Sequence, residues 1–391
     1  MNKSWISSSQ ALTLLFLCRI FTLLTVSPAS PDAGKSLGGG MAVLAPLASL
    51  GFQLLLFLPG WLLMRRHPGQ NFAQALTGNL GGLGRSASLL LWLFLTVMAA
   101  LSAVEFEQFL ITAVYADAPK LLFAFLFLVV AIYGSHLGVE AFGRFAYFGF
   151  VLFAVLTGTL LPALAGDFRM SELFAKTPGS AQDFLRAAWA ITSGNLEIVC
   201  FFLLLPQISG TGKGTFGAIG KKLYFGWSIL FSLVSAGLLI LLIGVLGGGS
   251  GGGKPYPFYT LAMAAEGTLL ARTDAVHMSV WSVLGLLRCC LLLYGANTAL
   301  RCGVTVTQKQ GMRRFVAEHR EGVTAVVVVL TAALFSLSDR QALQQIRLIW
   351  RGGTVVFLAL VALPLAGILG GWLKRHGRRL DDGVGGTGKA V

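Results

Sequence analysis

Long apolar runs broken by short polar segments dominate this chain. A membrane-spanning helix needs roughly 20 predominantly apolar residues. Ten windows meet that measure: 8–27, 41–64, 86–114, 119–135, 139–164, 184–206, 223–247, 276–300, 322–337 and 353–373. The ninth is short and draws on its flanks. In lipid every backbone polar group must be satisfied internally, which leaves helices or a closed barrel. The Leu, Phe and Val runs lack the alternating polar positions of barrel strands. The pattern therefore predicts an all-α integral membrane protein of about ten transmembrane helices. It forms a single polytopic domain, 1–373, with repeat halves at about 1–164 and 184–373 and a short basic tail, 374–391. Two shorter helices are expected between spans. One is amphipathic, within 66–85. The other runs from about Tyr259 to Ala271, after the glycine run Gly247 to Gly253 and Lys254-Pro255-Tyr256-Pro257.

Composition agrees with the pattern. Of 391 residues, 55% are hydrophobic and 12% charged, against about 45–50% and about 25% in an ordinary soluble domain. The net charge of +14 lies in short segments between spans, which argues against nucleic acid and for the positive-inside rule. With the N-terminus inside, 17 of the 30 Lys and Arg fall in cytoplasmic segments and nine outside, with four in or beside spans. Both termini are accordingly predicted to be cytoplasmic. The first apolar stretch lacks a small-residue cleavage site and reads as span 1, not as a removed signal peptide. The five cysteines give no metal spacing and no expected disulfide, and no cofactor is expected.

Soluble-enzyme motifs fail on inspection. Gly34-Lys35-Ser36 ends like a phosphate-binding loop, but Ala29 stands where the first glycine belongs. Gly212-Lys213-Gly214 lacks both the Ser/Thr and the upstream glycine. The informative residues are charges inside spans, which are costly in lipid and face the bundle interior: Arg19, Arg144, Arg186 and Arg288 with Glu105, Glu107, Glu140 and Glu197. Glu140 and Arg144, four apart with the acid first, suit a structural ion pair along one helix face. Glu105 and Glu107 point to different sides of span 3. One reading sends one of them to the outer headgroups and the other to a cavity, with Glu105 sharing a face with Ser102.

Span 6 carries the strongest signal. Thr192-Ser193-Gly194-Asn195-Leu196-Glu197 places small and polar residues in mid-span, where a helix unwinds and its freed backbone groups become ligands. The rival reading is a tight helix crossing at Gly194. Arg19 and Arg288 are deep, and either suits a neutralising partner for Glu197 or Glu105, or a ligand carboxylate. Span 1 adds Thr22, Thr25 and Ser27 before Pro28. Tyr294 and Asn297 lie beyond Arg288 toward the cytoplasm. The candidate ligand-binding set is Thr22, Glu105, Ser193, Gly194, Asn195, Glu197, Arg288 and Tyr294.

Several stretches together resemble the spore-germination permease family, the B-subunit (GerAB-type) proteins of nutrient germinant receptors, within the amino acid–polyamine–organocation transporter superfamily. They are Ile6-Ser7 through Gln10-Ala11-Leu12-Thr13-Leu14-Leu15 to Arg19-Ile20; Gly138-Val139-Glu140 with Gly143-Arg144; Asn195-Leu196-Glu197 with Leu205-Pro206 and Lys213; and Tyr256-Pro257 with Arg272-Thr273-Asp274-Ala275 and Trp281. Phe21 stands where that family has a small residue. The resemblance implies a LeuT-like five-plus-five inverted repeat and a germinant, often an amino acid, bound between spans 1, 3, 6 and 8. It also implies A-type and lipoprotein C-type partner subunits in the inner spore membrane. The expected function is a germinant-sensing membrane subunit. The alternatives are a stand-alone proton-coupled amino acid transporter and, behind it, a water or ion channel. An enzyme is the least expected outcome.

Overall fold

The computed structural model describes residues 5–25, 39–115, 117–174, 180–209, 216–247, 256–265, 272–304, 315–316, 318–351 and 353–385. Gly34-Lys35-Ser36, Ser27, Pro28, Lys213 with its flanking glycines, and 248–255 lie outside them. Helices account for almost everything described, and the one β contact there is a single bridge between Ile6 and Ile208.

Each of the ten predicted windows holds a helix. They are α1 (Ser8–Thr25), α2 (Gly39–Arg65), α4 (Gly82–Ala113), α5 (Leu122–Leu137), α6 (Val139–Ala163), the pair α8 (Ala181–Ser193) and α9 (Glu197–Leu204), α10 (Phe216–Leu246), α12 (Thr273–Gly303), α13 (Arg320–Leu337), and a last span of α15 (Thr354–Phe357) and α16 (Leu363–Gly385). A π-helical turn, Leu358–Ala362, joins the last two. Among the described residues nine of these are long and apolar enough to cross a membrane; α5, at 16 residues, is shorter. The ninth window extends to Arg320 and thereby reaches 18 residues. The basic segment after residue 373 is not a loose tail at its start, because α16 continues through it to Gly385.

Shorter helices fill the connections. α3 (Phe72–Leu80) is the expected amphipathic element. Its start is fixed by a reciprocal capping box: Gln74 N donates to Asn71 Oδ1 at 2.8 Å, and Asn71 N donates to Gln74 Oε1 at 2.9 Å. α7 (Met170–Phe174) is a single turn. α11 (Pro257–Ala264) starts two residues before the expected outer helix and ends sooner; 266–271 lie outside the described residues. α14 (Arg340–Arg351) was not expected. Leu343, Ile346 and Trp350 recur at i, i+3 and i+7 along it, and they bury or half-bury against the bundle.

α12 is the central post, packed by α4, α5, α6, α1 and α9. The outer helices carry apolar side chains on their exposed faces: Leu126, Val130 and Tyr133 of α5, Phe148, Val151 and Val155 of α6, and Val326, Leu330 and Leu334 of α13. Such a belt exceeds what a water-soluble monomer exposes and suits lipid.

Segments assigned to the same side by the charge count meet in space. On the basic side Ile6 N donates to Gln207 O at 3.0 Å and Ser209 N to Ile6 O at 2.8 Å. His136 pairs with Glu321, and Lys374 Nζ donates to Gly78 O at 2.9 Å. On the opposite side Arg169 N donates to Gly244 O at 2.9 Å.

Candidate ligand site at the break in span 6

Span 6 is interrupted where its sequence turns polar. α8 stops at Ser193, Gly194 to Leu196 are non-helical, and α9 starts at Glu197. Thr, Ser, Gly and Asn are poor helix formers because their backbone or short side chains prefer other conformations. Breaking a helix in a bundle core exposes carbonyls at one end and amides at the other. Here both ends are answered by charge. Arg288 Nη2 donates to Gly194 O at 3.3 Å, and Arg19 Nη2 donates to Ile191 O. Two cations thus face the C-terminus of α8, the negative end of its dipole, while the acidic Glu197 occupies the first turn of α9, the positive end. The close crossing at Gly194 is also present: a Cβ there would lie 3.2 Å from Thr22 Cγ2. The two sequence readings of Gly194, unwinding and tight packing, are met at one residue.

Arg288 and Glu197 form the centre, both fully buried. Arg288 Nε donates to Glu197 Oε1 at 2.7 Å and Nη1 to Ser102 Oγ at 3.2 Å, so all three guanidinium nitrogens are engaged. Its Cζ sits 5.7 Å from the Phe21 ring centroid. Phe21 does not interrupt α1, which is helical through Thr25. Glu105, one turn beyond Ser102 on α4, is buried; its Oε1 is 3.9 Å from Arg347 Nε of α14. Arg347 also donates through Nη2 to Gln108. Glu107 is equally buried and accepts from Ser336 Oγ at 2.6 Å. The headgroup reading of one of these acids is therefore corrected: α14 and α13 cover both.

Thr22, Ser193, Gly194, Asn195, Glu197 and Arg288 come together around the break, with Glu105 on the adjoining face of α4. Tyr294 does not join them. It lies six residues along α12 from Arg288, about 9 Å at 1.5 Å per residue, and its hydroxyl donates to Gln207 Oε1 at 2.9 Å. That contact ties α12 to the basic-side end of span 6. Glu140 and Arg144 pair on the exposed start of α6, where Arg144 Nη2 donates to Glu140 Oε1.

Three neighbours of the site were not singled out in the sequence: Arg347, Gln108 and Ser336. The i, i+3, i+7 apolar spacing around Arg347 is the signal that would have placed it on a packed helix. Aromatic rings close the other side of the site. Phe21 stacks on Trp281 with centroids 5.5 Å apart, and Trp281 meets Phe109 edge-on at 4.0 Å. Phe109 in turn meets Tyr256 and Tyr259 at 5.0 and 5.2 Å. Trp281 Nε1 donates to Thr25 Oγ1 at 3.2 Å. Among the described residues no group of three His, Cys, Asp or Glu is arranged to hold a metal ion.

A broken mid-membrane helix with buried charges at its gap, inside a bundle of about ten spans, defines a membrane permease of the transporter class. Solved structures share the fold. The nucleobase-cation-symport-1 family transporter Mhp1, in a closed conformation with bromovinylhydantoin bound, superposes with a TM-score of 0.60 at 16% identity, over 92% of this chain and 78% of that one. A variant of the Eremococcus coleocola manganese transporter gives 0.57 at 14% identity, with the same coverage. At these identities the likeness speaks for the LeuT-like fold alone. No curated protein sequence matches the chain. The sequence profile of the spore germination proteins matches residues 5–341, and the chain belongs to that spore permease family.

Proposed function

We propose that this permease is the membrane subunit of a spore germinant receptor, and that it binds a small polar nutrient, an amino acid, at the break in span 6. The observation that carries this reading is the gap between α8 and α9. It holds Asn195 and Glu197, both fully buried, and both side-chain polar atoms of Asn195 as well as Glu197 Oε2 lack a hydrogen-bond partner. Polar atoms left unmet in a membrane core cost several kcal/mol each, and a polar ligand offsets that cost. Binding shifts a transporter-like equilibrium to the extent that the ligand prefers one conformer. The bridge from Ile6 to span 6 and the Tyr294–Gln207 contact are the elements on the basic side that such a shift would open. In this reading A-type and lipoprotein C-type subunits receive the signal, the protein resides in the inner spore membrane, and both termini are cytoplasmic, as the charge distribution supports.

The test is a germination assay in spores whose own copy is replaced by Glu197→Gln. The response to amino acids is expected to fall sharply while the protein still reaches the membrane. An unchanged response removes Glu197 from the site. The transporter fold supports a second reading, proton-coupled uptake by this chain alone. Proton-dependent accumulation of labelled amino acid in proteoliposomes of the purified chain would replace the receptor reading with that one.

A further inference from the structure

Two arginines reach the break, and both are buried to the same degree, yet they are bonded very differently. Arg288 uses all three nitrogens, on Glu197, Ser102 and the Gly194 carbonyl. Arg19 uses one, on the Ile191 carbonyl; its Nε and Nη1 have no partner. Its Cζ lies 4.9 Å from the centroid of the Phe231 ring on α10, which cushions the cation without satisfying its N–H groups. A guanidinium with unmet donors in a membrane core is expensive, and a carboxylate can meet it, either through one of the free nitrogens or through a fork that shares the second hydrogen of Nη2.

We infer that Arg19 is the receptor for the carboxylate of the ligand, and that Arg288 is the structural partner of Glu197. The inference rests on the proposed small-ligand site and assigns one of its contacts. Position supports it. Arg19 meets span 6 less than a turn before the gap, and Thr22, one turn further along α1, packs on Gly194. Asn195, in the gap itself, carries a further buried donor without a partner, its amide nitrogen. A carboxylate placed there meets Arg19 and Asn195 together. Glu197 Oε2, also without a partner, remains for a hydrogen-bond donor elsewhere on the same molecule. The division of labour makes Arg19 a specificity determinant: it selects free acids over their amides.

The experiment is thermal unfolding of the purified full chain in nanodiscs. The probes are the twenty amino acids, propionate, alaninamide and sodium chloride. At least one free carboxylate is expected to raise the melting temperature of the wild type in a concentration-dependent way, and its amide to have no effect. In Arg19→Gln that shift should vanish, corresponding to at least about tenfold weaker binding. Arg19→Lys should keep part of it. Without ligand, Arg19→Gln should melt no lower than wild type, because it removes unmet buried donors, whereas Arg288→Gln should melt lower. The assignment is overturned by a carboxylate shift that survives Arg19→Gln, by an equal shift with the amide or with chloride, or by no shift with any carboxylate. It is overturned too if ligand-free Arg19→Gln loses as much stability as Arg288→Gln. A shift lost in Glu197→Gln but kept in Arg19→Gln removes Arg19 and leaves the site. A shift indifferent to both removes the site itself.

Discussion

Replacing Arg288 by Met removes the centre of the polar network while keeping an unbranched apolar stem in its place. Three bonds are lost: 2.7 Å to Glu197, 3.2 Å to Ser102 and 3.3 Å to the Gly194 carbonyl. Ser102 keeps its own bond to Met98 O at 2.9 Å, so its loss is small. Glu197 is the costly one, because it becomes a fully buried carboxylate that has lost its directly bonded cation. Breaking one side of a buried ion pair typically costs about 3–5 kcal/mol, and about 4 kcal/mol is expected here. In Glu197→Gln the charge is gone but Arg288 keeps its other two acceptors, so a smaller cost, about 2–3 kcal/mol, is expected. The double variant buries neither charge. Its cost should fall short of the sum of the singles by about 2–3 kcal/mol, the upper range for directly contacting residues. Equilibrium unfolding in mixed micelles with rising SDS, followed by tryptophan fluorescence, measures all three; Trp227 and Trp281 are buried reporters. An Arg288→Met cost below about 0.5 kcal/mol, the range of a neutral surface change, or simple additivity, would refute the buried-pair argument.

Other expectations follow from single contacts. A Cβ on Gly285 would lie 2.7 Å from Phe21 Cε2, so Gly285→Ala should push Phe21 off Trp281 and cost about 1–3 kcal/mol in the same unfolding assay. Tyr294→Phe loses the bond to Gln207; it should cost about 1 kcal/mol and leave the ligand-induced melting shift unchanged. Asn71→Ala removes the capping box of α3 at a cost of about 1 kcal/mol, with hydrogen exchange rising first at residues 72–76. His67, in the connection from α2 to α3, is held below its ordinary titration range by partial burial and by Arg375 and Arg66. Its Nε2 is 3.0 Å from Asn79 Nδ2, a donor that only the neutral ring accepts. The unfolded state then binds the proton more readily, so stability should fall as pH drops below the ordinary histidine value. His67→Gln should flatten that part of the melting-temperature profile, and an identical slope in the variant would remove His67 as its source.

Ten helices were legible because lipid allows few other solutions to ten long apolar runs. The break in span 6 was legible too, because Thr192 to Glu197 is the one polar sequence in the middle of an apolar window. Spatial pairing was not. Hydropathy places Arg19 and Arg288 deep but carries no information on which spans are neighbours, so their different partners emerged only from the packing of α1 and α12 against α8 and α9. Tyr294 shows the same limit at shorter range: six residues from Arg288 is near in sequence but nearly two turns away along the helix. α14 was missed because its arginines and glutamines dilute an apolar stripe that a span-length window averages away. With it went Arg347, which reaches Gln108 and Glu105 in the last turns of α4.

The gap between α8 and α9 is the proposed seat of the ligand. The direct measurement is a structure of the chain with a stabilising amino acid bound. The expected result is ligand density within about 3 Å of Arg19 and the Gly194–Glu197 segment, with Arg288 still on Glu197. Density seated elsewhere in the bundle, with Asn195 and Glu197 Oε2 untouched, would contradict the claim.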